Sequence, residues 1–166
     1  MTTTKPKVVK PKTTAIPKLP NIPFCYEVFE AASKQRTKAK KIEVLKTYAH
    51  DSIMAVLIWN FDESVVSLLP EGDVPYTKNE APAGTEHTTL ATESKKLWHF
   101  IKGGDGQTPQ WKKEQMFVQL LEGLHESEAE LLVNVKDKKV HQVYKGLSTN
   151  VVCEAFNWND NFMLMS

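Results

Sequence analysis

The chain has 166 residues, 41% hydrophobic and 25% charged, which suits one ordinary domain that buries its core without disulfide or metal staples. Its longest apolar run, Ile53 to Trp59, is far short of the roughly 20 residues a membrane-spanning helix needs, so no such helix is expected. The net charge of +1 hides a split: residues 1–46 hold ten Lys and one Arg against three Glu, a net +8, while the other 120 residues hold 10 basic and 17 acidic groups, a net −7. Segregation of this kind suggests that the basic end has a negatively charged partner, nucleic acid or an acidic surface.

Residues 1–20 contain five Lys, four Pro and no acidic residue. Prolines at 6, 11, 17 and 20 forbid a helix, and the few apolar side chains bury too little surface to offset ordering entropy. An extended, polyproline-like arm is expected, with Lys-Pro-Lys at 5–7 and again at 10–12. It reads either as an electrostatic arm or as a solubilising tail. It has no apolar core of the kind a secretory signal carries.

The folded part is expected from residue 21. Phe24, Cys25, Val28, Phe29 and Ala32 keep helical spacing to about Gln35. A second helix begins after Thr37, with Ile42, Leu45, Tyr48 and Ala49 inward. Lys38, Lys40 and Lys41 occupy its first turn, where the helix dipole disfavours cations by roughly 0.3 to 1 kcal/mol each when exposed. With Lys34 and Arg36 they form a compact basic cluster that a bound anion would stabilise, although a solvated face also tolerates such a penalty.

Asp51 is a candidate cap for a third, almost wholly apolar helix, and Asp62 for a short fourth through Val65, Val66, Leu68 and Leu69, stopped by Pro70. Residues 71–89 show no period and read as a long loop, the best candidate for recognition, with Tyr76 and His87 as its side chains of most chemical interest. A fifth helix is expected over 90–101 with Leu97, Trp98 and Ile101 inward, ended by Gly103 and Gly104. Thr108 as cap and Pro109 as first helical residue would start the sixth, whose face is Met116, Phe117, Leu120, Leu121 and Leu124. Ser127 and Glu130 have capping-box spacing for a seventh, lined by Ala129, Leu132 and Val133. Val140, Val143 and Tyr144 follow before Gly146, and Ser148 would cap a last helix through Val151, Val152, Ala155 and Phe156. The closing segment, with Trp158, Phe162, Met163 and Leu164, packs back on the core or offers an apolar peptide to a partner.

No motif specifies chemistry. The loop KGGDGQ at 102–107 precedes a helix but lacks the GK[ST] of a phosphate loop and is expected to be a turn. His125-Glu126 starts the zincin pattern, yet Ala129 stands where the second His belongs. The five His are scattered, the four Trp read as core, and Cys25 and Cys153 as buried free thiols in a reducing compartment.

The strings LLPEGDVPYTKNEAPAGTEHTTL at 68–90, FIKGG at 100–104, EGLHESEAELLVNVKDKK at 122–139 and YKGL at 144–147 resemble a family of small proteins of unknown function carried by T4-like tailed bacteriophages, over roughly residues 24–162. The resemblance implies a context, the host bacterial cytoplasm or the virion, and assigns no role to any residue.

The expectation is an all-α fold: a compact bundle of about eight short helices over residues 21–166, preceded by the Lys/Pro-rich arm of residues 1–20. The expected function is that of a non-enzymatic phage accessory protein. It would bind nucleic acid or an acidic host or virion surface through Lys5, Lys7, Lys10, Lys12, Lys18, Lys34, Arg36, Lys38, Lys40 and Lys41, with no cofactor and no metal. The alternative is a virion component whose arm threads between subunits of a capsid or neck; an enzyme using the 71–89 loop ranks last.

Overall fold

The apolar stretch at 116–135 folds as two successive helices, and the second becomes the centre of the bundle. The computed structural model of the chain describes residues 18–20, 22–82 and 86–165; the arm lysines Lys5, Lys7, Lys10 and Lys12 lie outside them. The described residues form α1 (Cys25–Ser33), α2 (Lys38–Thr47), α3 (Asp51–Phe61), α4 (Leu90–Glu93), α5 (Gln110–Gly123), α6 (Glu126–Lys136), α7 (Val140–Val143) and α8 (Thr149–Phe156), with a 3-10 segment at Ser94–Phe100. No strand occurs among the described residues, so the fold is all-α as expected. Helix α6 packs against α1, α3, α5 and α7, while α2 lies between α1 and α8. On α5 the predicted face holds: Phe117, Leu121 and Leu124 are buried, with Met116 and Leu120 packed at their edge.

Several boundaries differ from expectation. Residues 62–69 are not a helix. Val65 and Val66 are β-branched, Pro70 closes the segment, and its backbone pairs with the end of the 3-10 segment: Leu68 N donates to Phe100 O at 2.8 Å and Lys102 N to Val66 O at 2.8 Å, around an antiparallel Ser67–Ile101 bridge. The helix expected over 90–101 is α for only four residues and then tightens to 3-10, which turns Trp98 outward to 47% exposure. Trp111, at 65%, is likewise outside the core, whereas Trp59 and Trp158 are within it. After α6 the helical turn is confined to four residues, and Val143 faces outward. The closing segment divides: Trp158 and Phe162 pack inward, Met163 and Leu164 do not.

Caps moved more than helices. Ser148 caps α8 as expected, accepting from Val151 N at 3.3 Å, and Thr37, after which the second helix is expected to begin, caps α2 by accepting from Lys40 N at 3.2 Å. Asp51 instead sits inside the first turn of α3, after His50. Pro109 precedes α5 rather than beginning it, and the buried Asp105 carboxylate organises the turn before it. Asp105 accepts from Gln107 N (2.9 Å) and Thr108 N (3.1 Å) and pairs with His99 Nδ1 (2.7 Å); hydrogen bonds from Thr108 and His99 hold it well below the usual carboxylate range. The buried Lys113 ammonium donates to the Asp105 carbonyl at 2.5 Å. The turn expected at 102–107 is thus fastened to α5. The Ser127–Glu130 capping box does not form either. His125 caps α6 through Nδ1, which accepts from Ser127 N at 3.0 Å, while its ring stacks on Phe24 and Tyr26.

The last residue of α6, Lys136, is buried with its neighbour. Its ammonium donates to Pro70 O (2.8 Å), Gly72 O (3.0 Å) and Asp137 Oδ1 (2.6 Å), and Asp137 Oδ2 accepts from Gly72 N at 3.1 Å. Four interactions thereby fix the point where the long 71–89 loop leaves the core. Replacing Lys136 by Met keeps the aliphatic stem but strands a buried carboxylate and two carbonyls. Urea unfolding is expected to show a loss of about 3 kcal/mol at unchanged slope; a loss below about 1 kcal/mol would show that the ammonium does not hold this junction.

Candidate functional site

The basic cluster forms where α1 ends and α2 begins. Thr37 turns the chain between them, and five cations fall within the eight residues 34–41. The first turn of α2 contains no acidic residue, and the N–H groups of Lys38 and Ala39 have no hydrogen-bond partner among the described residues. The helix dipole at this N-terminus favours negative charge, yet the residues that surround it in the chain are cationic.

Much of that positive charge is already paired. Lys34 meets Glu30 at 3.0 Å, Lys38 meets Glu154 of α8 at 2.6 Å, and Lys40 lies 3.7 Å from Glu43. These groups are partly or largely exposed, and exposed ion pairs contribute only about 0 to 1 kcal/mol. Lys41 is different. Its ammonium donates to the Gln35 carbonyl, and its side chain lies under Gly146, whose φ of +94° admits no Cβ without strain and whose missing side chain makes the room. Lys41 thus ties α1 to the α7–α8 turn and is committed to the fold. Arg36 is exposed and has no carboxylate in ion-pair range among the described residues; Lys18 is exposed where the chain enters the fold.

The 71–89 loop is strapped to the body rather than free. Beyond the Lys136 junction, Thr77 N donates to Glu122 Oε2 (2.9 Å), and Thr88 N donates to Gly123 O (3.0 Å). Gly123 permits this close approach, since a Cβ there would stand 3.3 Å from Thr88 Cγ2. Tyr76 and His87 are not brought together. Tyr76 is half-buried, its hydroxyl pKa raised by burial and by Glu130 and Glu126. His87 is exposed on the wall of a cleft of about 590 Å³ floored by Phe100, Met116 and Leu120, which Tyr76 does not line. The cleft's carboxylates are engaged. Glu93 is raised by burial but brought net below its ordinary value by Lys96 and Thr88, and Glu122 accepts from Thr77 N.

The far end of the loop is held by Glu128, whose place beside Glu126 and Glu130 at the start of α6 suggests from sequence only a carboxylate favoured by that helix's own dipole. The residue is 1% exposed, and each carboxylate oxygen takes one backbone donor: Oε1 from Leu90 N at 3.0 Å, Oε2 from Cys25 N at 3.3 Å. Leu90 and Cys25 are the first residues of α4 and α1, so one buried anion serves two helix N-termini. Beside it, Cys25 Sγ lies 3.5 Å from Ser52 Oγ, and Ser52 Oγ lies 2.6 Å from His50 Nδ1. Burial pushes the Cys25 thiol up to about 12, so it is an inert core thiol and no nucleophile. Burial also lowers His50. A signal for Glu128 existed, because it falls in helical register with Leu131, Leu132 and Val135. No group of three side chains able to hold a metal occurs among the described residues, and no helix among them is long and apolar enough to cross a membrane.

A family model described as "Family of unknown function (DUF6433)" matches residues 28–142. No curated protein and no solved structure matches the chain.

Burial raises Glu128 from 4.5 to about 7, the Leu90 and Cys25 N–H groups oppose the shift, and Glu86 and Glu27 add to it. A folded state that binds the proton more tightly than the unfolded chain loses stability as pH rises between those two values. Urea unfolding from pH 4.5 to 7.5 is therefore expected to show a decline of which Glu128 supplies up to about 3 kcal/mol, and Glu128→Gln should remove that part. A wild-type curve no steeper than that of the variant would contradict it.

Proposed function

The chain belongs to the family of unknown function DUF6433, and for this member we propose a non-enzymatic role in binding nucleic-acid phosphates through its basic N-terminal region, as an accessory protein of a tailed bacteriophage. The phage setting rests on the resemblance of residues 24–162 to small proteins of T4-like phages. The binding role rests on one observation above all: the first turn of α2 gathers Lys38 and Lys40 beside Lys34 and Arg36, with open N–H groups and no acidic residue in the turn. Lys5, Lys7, Lys10, Lys12 and Lys18 precede it in the chain and extend the charge. Phosphate is the ligand that uses both features, since the fixed N–H dipoles orient an anion and the flexible ammonium groups neutralise it. Contacts of this kind carry no base information, so little preference among sequences is expected. Lys41 takes no part, because its ammonium is used within the fold.

Titration of single- and double-stranded DNA over a range of salt concentrations tests the reading. Each phosphate neutralised on duplex contributes about −0.9 to the slope of log affinity against log salt. Arg36→Ala is expected to flatten the slope by about 1. Replacing Lys5, Lys7, Lys10 and Lys12 together by Gln should reduce affinity at least about tenfold at low salt. Lys41→Met should lower stability while leaving the slope unchanged. Absent or salt-insensitive binding would overturn the proposal and leave the subunit-threading alternative.

A further inference from the structure

A second surface has the opposite character to the basic corner. Between the start of the 71–89 loop and α5 runs an apolar groove of about 280 Å³, walled by Val74 and Pro75 on one side and Phe117 and Val118 on the other. Two carboxylates, Asp73 and Glu114, stand on its lining and no cation does. Asp73 is exposed and forms no ion pair among the described residues, and Glu114 spends one oxygen on Gln110 Nε2 at 2.9 Å. The loop wall is preformed, because Lys136 and Asp137 fix the backbone at Pro70 and Gly72. Gln110 Nε2, one turn before Glu114, also bonds Leu68 O at 2.7 Å, which ties α5 to the chain that leads into the loop. A rigid apolar slot with a negative rim suits a ligand that is extended, apolar along one edge and cationic beside it.

The chain carries such a segment outside the described residues. Residues 5–12 read KPKVVKPK, two valines between two Lys-Pro-Lys triplets. A polyproline geometry of three residues per turn would set Pro6 over Val9 and Val8 over Pro11 and leave Lys7 and Lys10 on the third face. The described chain begins at Lys18, and ten residues at about 3.1 Å each carry it roughly 31 Å, about the width of a domain of this size. Two other grooves fit less well. The one beside Trp98 is lined by Lys95, which repels the arm. The one beside Leu19 has Glu27 and Glu30, but these already bind Phe24 N and Lys34.

We propose that residues 5–12 dock in cis in the groove between residues 73–75 and α5, with Val8 and Val9 against Val74 and Val118 and the flanking lysines at Asp73 and Glu114. The docked arm withholds its lysines from phosphate, so the groove acts as an internal competitor that a nucleic acid must displace. That regulatory consequence rests on the phosphate-binding reading above; the docking itself does not.

Zero-length carbodiimide coupling of the full chain, followed by peptide mass spectrometry, tests the docking without any nucleic acid. Links from Lys5, Lys7, Lys10 or Lys12 to Asp73 or Glu114 are expected in the monomer fraction. The double variant Val8→Ser/Val9→Ser, which alters only the arm, should reduce them several-fold. Links spread evenly over the surface carboxylates, or links at this groove that Val8→Ser/Val9→Ser leaves unchanged, would overturn the docking. Links found only in a covalent dimer would assign the groove to the arm of a second copy and overturn the cis form. In a separate titration, Asp73→Asn/Glu114→Gln should tighten DNA binding about threefold at low salt, the scale of one exposed ion pair released; an unchanged affinity would overturn the competition. If the links form but no DNA binds, the docking stands and the phosphate-binding reading falls.

Discussion

The fold depends on two ionisable side chains that α6 carries into the core. Glu128 and Lys136 lie eight residues apart, about 12 Å along the helix, and both are almost wholly buried. Removing an ion from water costs several kcal/mol; hydrogen bonds to backbone offset it at both residues, and at Lys136 the adjacent Asp137 carboxylate adds an ion pair. Lys136 holds the carbonyls of Pro70 and Gly72; Glu128 holds the N–H of Leu90 and of Cys25. One helix therefore fixes both ends of the 71–89 loop and also the entry of α1. The choice of sign follows from the backbone dipoles, since loop carbonyls call for a cation and helix N-termini for an anion.

The same chemistry has different consequences at the surface. At the α1–α2 corner the ion pairs are exposed and exchangeable, so their presence neither stabilises the fold greatly nor blocks a ligand. Within that cluster Lys41 behaves like Lys136, its ammonium used to tie segments together under Gly146. What the ammonium binds, a backbone carbonyl within the fold or a carboxylate at the surface, separates the lysines that build the molecule from those that remain available to a partner. The acidic body and basic N-terminal region are likewise two halves of one charge distribution, and the groove beside Asp73 and Glu114 carries the sign opposite to the arm.

How much of this was legible in the sequence divides along the same line. Apolar periodicity located α1, α3, α5, α6 and α8, because a face that must be covered writes its spacing into the chain. It failed over 62–69, where a bridge to Ile101 outweighed an apolar run too short and too β-branched to decide helix from extended chain. Capping was read less well, since His125 and Asp105 were set by where the chain turns, while Asp51, Thr108 and Ser127 had only the right chemistry. Trp98 and Trp111 showed that aromatic character alone does not establish burial. Glu128 and Lys136 lie in register with the apolar stripe of α6, yet their partners are 38 to 103 residues away for Glu128 and up to 66 for Lys136, and no local pattern names them. For the basic corner the sequence showed which cations were close in the chain, and the structure added which of them are already used.

The strapping of residues 71–89 at both ends has an evolutionary consequence. Once a loop's termini are pinned by the core, lengthening it adds only closure entropy, about 0.6 kcal/mol for each doubling. Pro70 and Leu90 can stay where they are while what lies between them grows, shrinks or changes its side chains. An insertion between Thr77 and Thr88 would therefore lengthen that span without refolding the bundle beneath it, much as a scaffold carries interchangeable inserts.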